Sequence, residues 1–143
     1  MTYAIEEAEK ALALGEIPVG AVIVRGGEVI SRGHNLCETL RDATLHAEIL
    51  AIRRASEVVG DWRLCGCDIY VTLEPCSMCA GAILNSRLDR LIFGAYDPER
   101  GAAGGRLDLF ARHSLGGRAE VYGGIMQREC EAMLNGFFKN MRK

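Results

Sequence analysis

In the stretch TLEPCSMCAGAI, Cys76 and Cys79 stand three residues apart, directly after a run that reads as a strand. Thiols at that spacing can exchange electrons as a redox pair, hold half of a metal site, or fill a core as small apolar groups. The pattern predicts a helix over Cys76–Asn85, with Pro75 at its first position, where a missing N–H costs nothing. Positions i and i+3 put both sulfurs on one face, and the exposed N–H groups and dipole of a helix start favour thiolates. A redox centre and a metal site both want that arrangement, so the pair alone decides nothing.

A second pair of residues adds the missing chemistry. In LHAEI, His46 and Glu48 stand two apart at the start of a helical pattern over His46–Val59, and 26 residues separate Glu48 from Pro75. Together the segments read H-x-E…P-C-x-x-C. One imidazole and two thiolates give Zn²⁺ three protein ligands and leave the fourth tetrahedral position for water, whereas a structural zinc site closes that position. An open site beside a carboxylate is the arrangement for metal-activated hydrolysis, with Glu48 as the proton carrier. With three His and 13 Glu in 143 residues, H-x-E is expected by chance about 0.3 times and P-C-x-x-C about 0.005 times. Two other readings compete: a redox pair, which leaves His46 and Glu48 idle, and a closed site of Cys65, Cys67, Cys76 and Cys79, which must bring CGC to a distant helix end. Cys37 and Cys130, like Cys65 and Cys67, otherwise read as ordinary thiols.

The surrounding elements must carry these side chains. Apolar residues at Ile5, Ala8, Ala11 and Leu12 predict a first helix over residues 4–14. Val19–Val24 and Val29–Ser31 read as a hairpin around Gly26-Gly27. Asp68–Thr72, Arg90–Ala95 and Ala119–Tyr122 read as further strands, with a short helix near Leu107–Ala111 and a long amphipathic one over Ile125–Met141. The order αββαβαβαβα implies one α/β domain over residues 1–143, a mixed sheet with helices on its faces. A net charge of −2 announces no global affinity for nucleic acid, and no apolar run reaches membrane-spanning length. The acidic start lacks the form of a signal peptide, so the expected compartment is the cytoplasm, where thiols stay reduced.

These residues and their surroundings resemble the zinc-dependent cytidine deaminase superfamily, and more narrowly the bacterial tRNA-specific adenosine deaminases. The resemblance runs through GEIPVGAVIV, HAEILAIR, WRLCGCDIYVTLEPCSMCAGAILNSR, IFGAYDPERGAAG and the terminal FFKNMRK, nearly the whole chain. LEPCSMCAGA is shared with several purine-type deaminases, while FGAYD followed by GAAG is narrower. It implies a three-layer α-β-α fold whose five-stranded mixed sheet ends in a strand parallel to its neighbour, with the metal at two helix N-termini. It further implies one Zn²⁺ per subunit, a homodimer, and a tRNA anticodon stem-loop whose wobble adenosine becomes inosine. On this resemblance Glu48 takes a proton from zinc-bound water and passes it to N1 of adenine, and the backbone N–H groups of Ala47 and Cys76 steady the reacting centre.

The same resemblance gives Asn35 a base-edge contact and Asp97 a contact to the ribose–phosphate chain, against turn-forming and turn-capping roles read from their positions. Phe137 and Phe138 cannot both face a core, and Phe138 is the candidate to stack on a nucleotide beside Lys139, Arg142 and Lys143. Trp62 and Tyr70 are assigned to packing, His34 and His113 to surface or loops. Asp42-Ala43-Thr44, Gly105 and Gly116-Gly117-Arg118 depart from the family's usual residues, and Gly116-Gly117 with the modest net charge keeps the first of two competing functions in play. One is a zinc-dependent deaminase of a free base or nucleoside, guanine or cytosine. The other is a non-catalytic zinc or RNA-binding module, which an intact Glu48 opposes.

Overall fold

The computed structural model describes residues 1–111 and 117–142; His113, Gly116 and Lys143, singled out in the sequence, lie outside the described residues. Five strands form one sheet in the order β2-β1-β3-β4-β5: β1 (Gly20–Arg25), β2 (Glu28–His34), β3 (Cys67–Leu73), β4 (Arg90–Ala95) and β5 (Glu120–Tyr122). β1 runs antiparallel to both β2 and β3, while β3, β4 and β5 run parallel. The helices are α1 (Thr2–Ala13), the short α2 (Cys37–Leu40), α3 (Ala47–Val59), α4 (Ser77–Asn85) and α5 (Gln127–Met141). Gly26 and Gly27 both take positive φ, 57° and 81°, as the tight hairpin turn between β1 and β2 requires.

The register shows why the fold has three layers. Ala21 pairs with Gly33 on one side and Val71 on the other, and Val71 with Phe93, so these residues share a face. A Cβ on Gly33 would sit 2.4 Å from Ala47 O and 2.8 Å from Ala51 N, so α3 lies directly on that face. α4 touches α3, and Ile23, Ile69, Val71, Leu91 and Phe93 join Ala51, Ala55 and Ile83 in the main core. The opposite face belongs to α1 and α5. A Cβ on Gly20 would meet Ala4 O at 2.1 Å, and one on Gly94 would meet Cys130 Sγ at 2.3 Å. Glycine's missing Cβ is what lets helices approach this sheet so closely from both sides.

Four expectations are corrected. No helix forms at Leu107–Ala111; the stretch turns back on itself, with Ala103 bridged to Asp108 and Leu109 N–H donating to Ala102 O. Asp108 Oδ1 accepts the N–H of Phe110, and such local capture of a backbone donor competes with a helix. Pro75 lies outside α4, because Cys76 is its extended N-cap and Pro75 O is spent on the N–H of Ala102. Trp62 is 53% exposed rather than packed, with the Arg63 and Arg87 guanidinium carbons 4.4 and 5.8 Å from its ring centroid. His34 lies in β2, its Nδ1 3.0 Å from the buried Glu7 carboxylate, rather than at a free surface. Among the described residues no helix is long and apolar enough to cross a membrane.

The glycine contacts give a direct test. Gly33→Ala should destabilise the protein by about 1–3 kcal/mol, because its Cβ overpacks against the α3 backbone. Gly136→Ala, in α5 with nothing within 4 Å of its Cβ position, should instead stabilise by about 0.5–1 kcal/mol. Urea unfolding midpoints of the two variants against wild type check both signs.

Candidate active site

α3 and α4 begin at the same place. Each is entered through an extended N-cap residue, His46 (φ −74°, ψ 156°) for α3 and Cys76 (φ −72°, ψ 176°) for α4. Both helix starts therefore aim their positive dipole ends at one region. Into it the chain places His46, Cys76 and, one turn into α4, the fully buried Cys79.

His46 Nδ1 lies 3.6 Å from Cys76 Sγ and 3.5 Å from Cys79 Sγ. Zinc bonds of about 2.3 Å to sulfur and 2.0–2.1 Å to nitrogen, at tetrahedral angles, put such N···S edges at about 3.5 Å. The three side chains thus fit Zn²⁺ through Nδ1 and two sulfurs. Among the described residues no fourth His, Cys, Asp or Glu joins the group, and all six cysteines are free thiols. That removes both the disulfide and the closed four-cysteine site.

Without a metal the three ligands divide their protons unequally. The Cys79 S–H and the His46 ring hold Cys76 as a thiolate against the cost of burial, pushing its pKa down to about 3. Cys79 is pushed up, first because it shares its proton with Cys76 and then by burial. The Cys76 thiolate in turn raises His46. Glu48, in the first turn of α3, is 3% exposed, and burial pushes its carboxyl above the ordinary carboxylate range.

His46, Glu48 and Cys76 border a cleft of about 1000 Å³ that also reaches Asn35, Asp97 and Phe138. Six of the expected site residues, Asn35, His46, Glu48, Cys76, Asp97 and Phe138, thus line one cavity, while Cys79 and Ala47 are buried behind it. Asn35 Nδ2 donates to Ile17 O at 3.1 Å, and its Oδ1 accepts the Ala47 N–H at 2.9 Å. Its amide ties the α1–β1 loop to the start of α3, and one N–H and one lone pair stay over for a ligand. The Ala47 N–H, expected to steady the reacting centre, is thus engaged by Asn35. Asp97 Oδ1 accepts the N–H groups of Glu99 and Arg100 at 3.0 and 3.1 Å, which is the turn-capping role. Phe138, 40% exposed, stands in the cleft wall edge-to-face with Phe137 at a centroid distance of 5.4 Å.

Sequence reasoning missed two contributors. Glu74 is buried, and its carboxylate accepts backbone N–H groups from the loop that carries Asp97. Its signal was an acidic residue directly before Pro-Cys in an otherwise apolar run. Glu16, also buried, accepts the N–H groups of Glu38 and Thr39 and so fixes α2 beside the cleft. Nothing local marks it, because its partners lie more than twenty residues on.

Comparison with known proteins places this geometry. The model of the MafB19-like deaminases matches residues 1–142. The tRNA-specific adenosine deaminase of Bacillus subtilis is 48% identical over 143 residues, all of this chain and 89% of that protein. The enzyme of the same name from Haemophilus influenzae is 47% identical, over all of this chain and 83% of that protein. A structure from a study of A-to-I editing by tRNA:A34 deaminases superposes with a TM-score of 0.88 at 43% identity, covering 94% of this chain and 97% of the other. A guanine deaminase from Bacillus subtilis superposes at 0.63 with 40% identity, over 66% of this chain and 61% of the other. The five-stranded mixed sheet with its flanking helices is the deaminase α/β fold. Matched over its whole length in sequence and over 94% of it in structure, the chain belongs to the MafB19-like deaminases and to the tRNA-specific adenosine deaminase family.

Proposed function

We propose that the protein hydrolyses adenosine to inosine at the wobble position of a tRNA anticodon, as a cytoplasmic homodimer with one Zn²⁺ per subunit. The observation that carries the chemistry is the set of N···S edges of 3.5 and 3.6 Å beside a buried carboxyl. The names of the full-length relatives support the RNA substrate. The free-base alternative draws on the guanine deaminase of Bacillus subtilis, 40% identical over 66% of the chain, whereas the tRNA-specific relatives are 47–48% identical over all of it.

His46, Cys76 and Cys79 would hold Zn²⁺, which would supply a Lewis acid that eases the loss of a proton from water near neutral pH. Glu48 accepts the proton that water gives up and delivers it to N1 of the adenine. Once the new oxygen is bonded to C6, Glu48 takes the proton of that hydroxyl and passes it to N6; the C6–N6 bond breaks, ammonia leaves and C6 becomes the carbonyl of inosine. A carboxyl raised by burial is suited to this, since proton transfer both ways is easiest for a group whose pKa approaches the working pH. Asn35 offers its remaining N–H and lone pair to the base edge, Asp97 meets the ribose–phosphate chain, and Phe138 offers a face for a neighbouring base.

Glu48→Gln should lower deamination of an anticodon stem-loop by about 10²–10⁴-fold while zinc content, read by mass spectrometry of the metal, stays at the wild-type level. Inosine should form from a stem-loop bearing wobble adenosine, and free guanine, adenine and cytosine should go unconverted. Turnover of a free base alone would overturn the substrate. Because His46 and Cys79 both hold protons more tightly than usual, zinc must displace them on binding. Its apparent affinity for the metal-free protein should therefore rise with pH, as chelator competition over about pH 6–8 would show.

A further inference from the structure

The loop that follows β4 has no regular structure of its own, yet it is held closely. Glu74, 2% exposed, sends its carboxylate into it. Oε1 accepts the N–H of Asp97 at 3.0 Å, and Oε2 accepts those of Ala103 at 2.9 Å and Gly105 at 2.7 Å. The Glu74 N–H donates to Ala95 O at 2.8 Å, and Pro75 O accepts the N–H of Ala102 at 2.8 Å. Five hydrogen bonds thus join two residues at the end of β3 to residues 95–105. The next residue along is Cys76.

We infer that Glu74 is a positioning residue: its buried carboxylate fastens the loop of residues 96–105 to the metal-binding end of β3 and so sets where Asp97 meets the RNA. The inference rests on the RNA reading of the cleft. The chemistry of the side chain fits the task. An ionised carboxylate only accepts, and its two oxygens offer about four lone-pair sites, enough for three inward N–H groups. Each bond is charge-assisted, and backbone donors turned inward need such a partner. A glutamine of the same shape cannot replace it. Its NH₂ would confront either the Asp97 N–H or those of Ala103 and Gly105, donor against donor.

The glycines of the loop complete the arrangement. A Cβ on Gly101 would lie 2.3 Å from Glu74 Cδ and 2.4 Å from Oε2, and one on Gly105 would lie 2.3 Å from Asp97 O and 2.5 Å from Oε1. The backbone can wrap the carboxylate only because both positions lack side chains. Gly105 is therefore part of the hold on Asp97.

The test uses the zinc-loaded full chain and an anticodon stem-loop. Glu74→Gln should raise KM by about tenfold or more and change kcat by less than about threefold, the pattern of lost substrate binding rather than lost chemistry. Zinc content should be unchanged. In an Asp97→Ala background the same substitution should change KM by less than about twofold, because two residues acting through one contact are not additive. Gly101→Ala, which presses on the carboxylate from the other side, should reproduce this behaviour and serves if Glu74→Gln does not fold. Independently of any substrate, Glu74→Gln should speed hydrogen exchange at the amides of Asp97, Ala103 and Gly105. Unchanged exchange, a wild-type KM, or the same KM rise with and without Asp97 would overturn the proposal. Wild-type protein that fails to deaminate the stem-loop would instead overturn the RNA reading, and the exchange measurement would then decide the positioning role on its own.

Discussion

Two helix N-termini are made to meet, and most of the molecule serves that meeting. The N-cap residues of α3 and α4 are the imidazole and one thiol of the proposed metal site, so ligand geometry and helix geometry are the same variable. Two positive dipole ends face a thiolate and a buried thiol, which lowers the cost of gathering negative charge there before a cation arrives. The sheet makes the meeting possible. β3 delivers Cys76 at its C-terminal end, and Gly33 in β2 lets α3 press close enough to bring His46 across. The main core lies between the sheet and these two helices, where a shift in packing would be felt at the ligands.

The division of labour around the cleft follows from this. Residues that do chemistry sit on helix starts backed by the core. Residues that would read the substrate sit on loops and on α5, and buried polar side chains fix the loops. Asn35 fixes the entry to α3, Glu16 the start of α2, and Glu74 the loop of Asp97. Each spends a side chain on backbone N–H groups that no helix or strand satisfies, which is what an irregular wall around a reactive centre requires.

The legible parts of the sequence were those in which chemistry or periodicity is local. His46, Glu48, Cys76 and Cys79 declare themselves through residue type and spacing, and three dimensions brought them together as expected. Alternation and a Gly-Gly turn located the hairpin, and an apolar stripe located α5. What stayed hidden depended on partners distant in the chain. Glu16 and Glu74 look like ordinary acidic residues until the backbone donors they accept arrive from more than twenty residues away. The helix expected at Leu107–Ala111 failed because local side-chain and cross-turn hydrogen bonds took its donors. α2, at four residues, is too short to carry any periodicity. Trp62 shows that an aromatic beside arginines can lie on the surface, sheltered by cations instead of a core.

α5 is held by its first half and used by its second. Cys130 and Leu134 are its buried residues, while Phe137, Phe138, Met141 and Arg142 border the cleft. The far half is a cantilever: beyond Leu134 its residues are exposed or half-buried, and several of them border the opening. Drift in those closing residues can retune which nucleic acids are admitted while the machinery that breaks the C–N bond stays untouched.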